Sequence, residues 1–124
     1  MSGIDHLLDT NVVIGLLKGH EGAVRLAEEA RLVLGRAAVS QITRIELLGF
    51  GGLTEAEELA TRRFLGSCGV LLLSEAVEVE TIRLRRVTGL KLPDAIVLAT
   101  ARVAGAPLLT LDQRLSNTAQ VLGG

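Results

Sequence analysis

The segment that most constrains the fold of this chain is an apolar run that follows Pro93. Residues 95–101 read AIVLATA, so a helix over this segment has almost no polar face and is predicted to be buried on most sides. Proline suits the first helical position, because its φ is already fixed and its missing N–H would lack a helical partner anyway. Asp94 then falls in the first turn, where exposed N–H groups favour a negative charge. This acid is therefore either a helix cap or a ligand at the mouth of a buried helix.

The length and composition of the chain predict one globular domain over residues 1–124. A chain of 124 residues is large enough for one hydrophobic core, and 48% hydrophobic with 22% charged residues excludes a disordered protein. The 13 basic and 14 acidic residues nearly cancel, so a polyanion would have to be bound by a local patch. Two phenylalanines are the only aromatic residues, and base-stacking platforms are correspondingly scarce.

The sequence also predicts a cytoplasmic location without a membrane partner. No basic segment precedes an apolar run near the amino terminus, and Asp5 and Asp9 interrupt any signal-peptide core. No stretch reaches the roughly 18 apolar residues that a membrane span requires. Cys68, the single cysteine, has no internal disulfide partner and is expected to be a small buried hydrophobe.

Short apolar runs alternate with helical segments along the chain. Strands are predicted at residues 4–8, 37–39, 70–73 and 106–109, and the last apolar pair, Val121 and Leu122, as a further edge strand. Helices are predicted at residues 12–18, 21–34, 41–48, 55 to about 66, 75–88 and from 94 onward. This alternation indicates βαβ units, and therefore an α/β fold with a parallel sheet covered on both faces.

Four acids are predicted to face one edge of this sheet. Asp9 directly follows the first strand, and Asp112 follows the strand that ends at Leu109. Asp94 opens its helix, and Glu46 lies about one turn inside the helix after the second strand. Ligands of parallel sheets gather at the carboxyl ends of the strands. Each acid alone has a simpler explanation as a cap, a turn residue or a solvated side chain, although the apolar neighbours of Glu46 argue against a solvated face.

A cluster of four carboxylates predicts bound cations. Two like charges about 4 Å apart repel by about 4 kcal/mol at an effective dielectric of roughly 20, so the cluster needs cations or protons. Oxygen ligands without a nearby histidine or cysteine favour Mg²⁺ or Mn²⁺ over zinc, and His6 and His20 stand alone in the sequence. Such ions activate water against a phosphodiester. A covalent aspartyl phosphatase usually has a second acid two positions after the first, where this chain has Asn11.

Four short motifs contain these acids. They are Leu8-Asp9-Thr10-Asn11-Val12, Ile45-Glu46-Leu47, Leu92-Pro93-Asp94-Ala95 and Thr110-Leu111-Asp112. The motifs resemble those of PIN-domain ribonucleases, and their order, spacing and chain size are similar to the VapC toxins of bacterial toxin–antitoxin pairs. The resemblance spans residues 4–122. One departure is Leu115, where the family often has an aromatic residue three positions after the last aspartate.

The resemblance implies a three-layer α/β/α sandwich and metal-dependent endonucleolytic cleavage of tRNA, rRNA or mRNA, which would inhibit translation. It implies that four acids bind the metal and catalyse the reaction: Asp9, Glu46, Asp94 and Asp112. Asn11 and Thr110 match positions that support the acids or the attacking water, while their simpler roles are a helix cap and a turn. The resemblance further implies a homodimer, a place in a higher toxin–antitoxin assembly, and a VapB-like antitoxin whose tail lies in the active-site groove.

The densest run of basic side chains lies just before Asp94 and comprises Arg83, Arg85, Arg86 and Lys91. We hypothesise that some of them contact phosphates and supply affinity without much sequence discrimination. The alternative is a solvated helix face on which one arginine pairs with Glu78 or Glu80.

Two other functions fit the same residues. A PIN-like binding module would pair with an antitoxin or a scaffold and have little turnover. A related nuclease would cleave DNA.

Overall fold

The computed structural model describes residues 3–123, and within them the chain forms four strands and seven α-helices. The strands are β1 (His6–Leu8), β2 (Ala37–Ser40), β3 (Gly69–Leu71) and β4 (Leu108–Leu109). The helices are α1 (Thr10–Leu17), α2 (Glu21–Glu29), α3 (Gln41–Leu48), α4 (Glu55–Ser67), α5 (Glu75–Thr88), α6 (Leu92–Ala104) and α7 (Gln113–Val121). No helix of this part of the chain is both long and apolar enough to cross a membrane.

The four strands form one parallel sheet in the order β3-β2-β1-β4. β1 lies inside the sheet, where Leu8 is in register with Val39 of β2 while β4 pairs on the other side. Leu7 and Leu8 are fully buried and, as strand neighbours, point to opposite faces. Leu7 packs with Val97 of α6, and Leu8 packs with Val12 of α1. Helices therefore cover both faces, which confirms the predicted α/β/α sandwich around a parallel sheet.

Helix α6 is the central buried helix, as the sequence predicts. All seven residues of its 95–101 segment are buried. The helix begins at Leu92, so Pro93 is the second helical residue rather than the first, and Asp94 remains in the first turn. α5 packs along α6 and carries Val77 and Leu84 into the same core. Because only three residues separate the end of α6 from β4, the last turn of α6 lies at the amino edge of the parallel sheet and its first turn lies toward the carboxyl edge.

The predicted extent of the second helix is wrong. α2 ends at Glu29, and Arg31 has a φ of 54°, a left-handed conformation that stops a right-handed helix. Val33, near the end of the predicted helix, is 55% exposed. Leu32 and Leu34 on either side of it pack against the core. That alternation is the period of an extended segment, and it competes here with the helical period read from the sequence.

The predicted edge strand at Val121 and Leu122 is also wrong, because the segment belongs to α7 and its end. Asp112 starts this helix by accepting hydrogen bonds from two backbone N–H groups of the first turn. Leu115 and Ala119, one turn apart, are buried in the core. Two adjacent apolar residues fit a strand or a helix equally well, whereas the buried positions of α7 repeat at helical spacing.

Smaller differences concern the strand ends. β1 and β4 are shorter than predicted, β3 runs over 69–71 rather than 70–73, and β2 extends one residue further. The remaining predicted helices agree with the structure to within two residues at each end, and the structure shows a capping box at Thr54 that opens α4 and a cap at Ser40 that opens α3. Cys68, predicted to be buried, is half-buried against the core.

Candidate active site

Asp9 stands where β1 ends and α1 begins. It is 6% exposed and caps α1, with Oδ1 accepting the backbone N–H of Thr10 at 2.8 Å. Its other oxygen, Oδ2, accepts the hydroxyl of Thr110 at 2.7 Å. Burial raises the pKa of Asp9, these two hydrogen bonds oppose the shift, and the charges of Glu46 and Asp112 add to it. Asp9 therefore sits at the carboxyl edge of the sheet with other carboxylates close enough to act on it.

The turn after β4 is tied to the start of α1. Thr110 Oγ1 accepts the backbone N–H of Asp112 at 3.0 Å and the side-chain amide of Asn11 at 3.4 Å, while it donates to Asp9. The Asn11 Oδ1 in turn accepts the backbone N–H of Leu111 at 3.0 Å. Asp112 caps α7, so one of its oxygens is engaged with backbone N–H groups. The structure thus places Asn11, Thr110 and Asp112 beside Asp9.

Glu46 reaches the same edge from the exposed side of α3. Its Oε1 accepts the hydroxyl of Thr10 at 2.8 Å. The buried positions of α3 are Thr43 and Leu47, whereas Glu46 and its neighbour Ile45 are exposed, the latter by 58%. The prediction that apolar neighbours surround Glu46 is therefore wrong, because they turn to other sides of the helix. A threonine, rather than burial, holds this carboxylate.

Asp94 is half-buried in the first turn of α6. Within residues 3–123 its carboxylate makes no hydrogen bond or ion pair, unlike the other three acids. Burial raises its pKa, the charges of Asp9 and Asp112 raise it further, and Lys91 opposes them. Asp94 therefore lies near enough to Asp9 and Asp112 for their charges to act on it, at the edge of the sheet that Glu46 also reaches.

Comparison with known proteins agrees with this arrangement. The PIN domain family model matches residues 6–121. The chain belongs to the PIN-domain family. A toxin–antitoxin complex from Klebsiella pneumoniae contains a chain of 32% identity, with 89% of this chain and 88% of that chain covered and a TM-score of 0.76.

Two further solved structures share the fold of this PIN domain. One is DNA-bound VapBC from Salmonella typhimurium, with 22% identity, coverage of 92% and 91%, and a TM-score of 0.76. The other is FitAcB from Neisseria gonorrhoeae, with 23% identity, coverage of 93% for both chains, and a TM-score of 0.73. No curated protein matches the sequence significantly.

The side chains of this PIN domain fit a divalent cation in their chemistry. The donors are all carboxylate or hydroxyl oxygens, the acids repel one another, and Asp94 lacks a partner in the described part of the chain. No three carboxylate, imidazole or thiol groups of residues 3–123 form a closed set for one ion. Mg²⁺ keeps several waters and is usually held through one or two carboxylates, so a pair of these acids is a sufficient direct donor set.

The basic residues before Asp94 fall into three groups according to the partners of their side chains. Arg83 forms a bidentate pair with Glu80, at 2.7 Å for its shortest contact, and Arg102 of α6 binds the same carboxylate at 2.7 Å. These bonds lower the pKa of Glu80 to about 2, the Arg83 bond contributing most. Arg83 thus follows the structural alternative for this run. Arg85 and Arg86 are exposed and lack a side-chain partner within the described residues.

Lys91 forms the third group. It precedes α6, and its charge acts on Asp94. It is therefore the member of the run whose position bears directly on the acids. One site residue was missed from the sequence altogether, namely Thr10. A sequence signal for it is the three-residue spacing of Thr43 and Glu46, which places both on one face of α3. Both side chains contact Thr10.

Proposed function

We propose that this PIN domain is a metal-dependent endoribonuclease of the VapC toxin type, which cleaves RNA in the cytoplasm and inhibits translation. The observation that carries the proposal is that hydrogen bonds through Thr110 join Asp9 and Asp112 at the carboxyl edge of the sheet, with Asp94 near enough for their charges to raise its pKa. These acids come from three distant parts of the chain, and a bound cation would relieve their repulsion. The 32% identity with a chain of a toxin–antitoxin complex supports the toxin role.

Each polar residue has a defined task in the proposed reaction. Asp9 and Asp94 would hold Mg²⁺ or Mn²⁺, with Asp112 and Glu46 completing the site through direct contacts or bridging waters. When bound, a divalent ion lowers the pKa of water and stabilises negative charge on the phosphodiester and its leaving oxygen. Thr110 holds the Asp9 carboxylate in one orientation, and Asn11 ties the β4 turn to α1. These contacts keep the acids in place before substrate arrives.

The decisive experiment compares Asp94→Asn with the wild-type protein on total RNA and on a matched DNA, with Mg²⁺, Mn²⁺ or a chelator. We expect RNA cleavage by the wild type, loss of at least about 100-fold in the variant, and no cleavage after chelation. Glu28→Gln changes an exposed acid of α2 and should keep full activity. Preferred cleavage of DNA would favour the related DNA nuclease. Full activity of Asp94→Asn would reject the metal-nuclease mechanism.

Arg85 and Lys91 are proposed to contact the phosphates of the RNA, whereas Arg86 is assigned to the dimer face of α5 described below. Their positive charge lies on the segment that leads into Asp94 and is not neutralised by an ion pair within residues 3–123. Alanine at Arg85 should weaken RNA binding and reduce the slope of its salt dependence by about one. The matched control is Arg25→Ala, whose arginine is paired with Glu21 on α2.

We also propose a VapB-like antitoxin as the partner that neutralises the nuclease. The chain from Klebsiella pneumoniae with 32% identity belongs to a toxin–antitoxin complex, and the likeness covers 89% of this chain. Expression of the PIN domain alone should arrest growth, and co-expression of the product of a small adjacent gene should restore it. A binding module without turnover would not arrest growth, so the same assay separates the two functions.

A homodimer is proposed through the outer face of α5. Its outward stripe carries Glu75, Val79, Ile82 and Arg86, at spacings of four, three and four residues. Val79 is 62% and Ile82 is 46% exposed. A second copy packed antiparallel about a twofold axis would pair Val79 with Ile82 and the acid of one stripe with the arginine of the other. The stripe of one copy is therefore complementary to the same stripe of a second copy in the antiparallel orientation.

A further inference from the structure

The hydroxyl of Thr10 connects two helices at the candidate active site. Thr10 is the first residue of α1, directly after Asp9. Its Oγ1 lies 2.9 Å from the Thr43 hydroxyl and 2.8 Å from Glu46 Oε1, both on α3. Thr43 is fully buried, whereas Glu46 is exposed. The contact therefore extends from the interior of the protein to a solvent-facing carboxylate.

The protons of this group have one consistent arrangement. An ionised carboxylate only accepts hydrogen bonds, so Thr10 must donate its single proton to Glu46. The remaining contact is then satisfied when Thr43 donates to Thr10 Oγ1. Within residues 3–123 the Thr43 side chain has no other hydrogen-bond partner, so this donation also satisfies a buried hydroxyl. In such a chain each hydroxyl donates to the next acceptor, and the successive hydrogen bonds polarise and strengthen one another.

We propose that Thr10 is a positioning residue of the nuclease site, which holds the Glu46 carboxylate toward Asp9 and is itself oriented by Thr43. The proposal rests on the proposed function. Glu46 has a long flexible side chain on an exposed helix face, where no other hydrogen bond within the described residues selects its rotamer. Because Thr10 directly follows Asp9, its hydrogen bond holds Glu46 at the start of α1 beside that acid.

The arrangement parallels the one on the other side of Asp9. Thr110 donates to Asp9 Oδ2 at 2.7 Å, and Thr10 donates to Glu46 Oε1 at 2.8 Å. A threonine hydroxyl thus fixes each of two acids. Groups that orient metal-binding carboxylates typically change metal affinity or activity by about 10- to 100-fold when they are removed.

The test uses Thr10→Val, which keeps the shape of the side chain and removes its proton donor. We expect Mn²⁺ binding to the otherwise intact protein, measured by calorimetry, to weaken about 10-fold, and kcat on RNA to fall about 10- to 100-fold with KM nearly unchanged. Thr10→Ser should restore both. Thr118→Val is the matched control, since it removes a hydroxyl that binds only a carbonyl of its own helix.

A second pair of variants separates positioning from a purely structural role. Glu46→Ala removes the group through which Thr10 acts, so adding Thr10→Val to it should change Mn²⁺ affinity less than two-fold. Thr43→Val should give a smaller loss than Thr10→Val and serves if the latter does not fold. Unchanged Mn²⁺ affinity in either single variant, or additive losses with Glu46→Ala, would overturn the inference. Absence of RNA cleavage by the wild type would instead reject the proposed function, because the Mn²⁺ measurement does not depend on cleavage.

Discussion

At the scale of single residues, two of the acids also serve the backbone. Asp9 caps α1 and Asp112 caps α7, each accepting N–H groups of the first turn. A carboxylate offers about four lone-pair positions, so capping leaves it able to bind a cation while fixing its orientation. The two roles that the sequence presents as alternatives are therefore compatible. Asp94 has no such partner within residues 3–123, and its pKa reflects burial and repulsion instead.

This difference predicts a pH-dependent stability effect of Asp94→Asn in chelator-treated protein. The folded-state pKa of Asp94 is raised above its ordinary value of 3.8. The folded protein therefore favours the protonated form of Asp94. The stability that this form contributes is fully present below pH 3.8 and is lost as the pH rises through the folded-state pKa. The variant should have the higher Tm at pH 7, by about 3 to 6 °C for each kcal/mol relieved, and no advantage near pH 3.

Thermal unfolding followed by circular dichroism across this pH range measures the effect. Glu28→Gln, on an exposed face of α2, should shift Tm little at any pH. A Tm of Asp94→Asn below that of the wild type at pH 7 would contradict the repulsion deduced for the site.

At the scale of elements, the contact between α1 and α2 depends on a glycine. A Cβ built on Gly15 would lie 2.5 Å from the Cβ of Ala23, which is fully buried on α2. The two helices approach this closely because Gly15 has no side chain. The sequence does not predict this contact, since nothing local to residues 10–17 reveals which helix crosses there.

Gly15→Ala should lower the free energy of unfolding by about 1 to 3 kcal/mol, because the added methyl group forces the helices apart. Gly66→Ala is the matched control within α4, where a Cβ meets no atom within 4 Å. That change should instead stabilise by about 0.4 to 1 kcal/mol, through lower backbone entropy of the unfolded chain. Urea unfolding measures both, and equal effects of the two substitutions would refute the close helix contact.

Helix α5 provides a prediction on assembly. Ile82→Glu should convert the proposed dimer into a monomer in sedimentation velocity, because the two apolar positions lie at the centre of the stripe. Glu75→Arg alone should weaken the dimer, and Glu75→Arg with Arg86→Glu should restore it by exchanging the paired charges. Leu59→Glu, on the exposed side of α4, is the control and should leave the assembly unchanged. A wild-type monomer at all concentrations would exclude the interface.

At the scale of the whole molecule, the site exists because the sheet order places β1 between β2 and β4. Thr110 and Asp9 are 101 positions apart in sequence and share a hydrogen bond at the end of those strands. Thr10 and Glu46 are 36 positions apart and meet in the same way from β1 and β2. The adjacent strand ends thus bring together side chains that no local pattern connects.

The sequence by itself determined the class of fold and which acids reach the carboxyl edge of the sheet. Several features depend only on neighbours within one or two turns, so a local stretch of sequence is enough to predict them. They are the apolar runs of strand length, the apolar segment that ends at Ala101, and the caps at Ser40 and Thr54. Two elements differ from the prediction, namely the end of α2 and the helix in place of the last predicted strand. In both segments the sequence fits two periods, and packing on the core decides between them.

Only the tertiary structure decided which hydroxyl holds which carboxylate, which arginine is neutralised, and where two helices touch. Thr10 and Gly15 look ordinary in the sequence, and their roles arise from partners on other elements. Arg83 and its partner Glu80 share a helix, yet Arg102 from α6 joins the pair. Hydrogen bonds and steric contacts act over a few ångströms in space, and the distances between elements are set by the packed sheet and helices rather than by spacing along the chain.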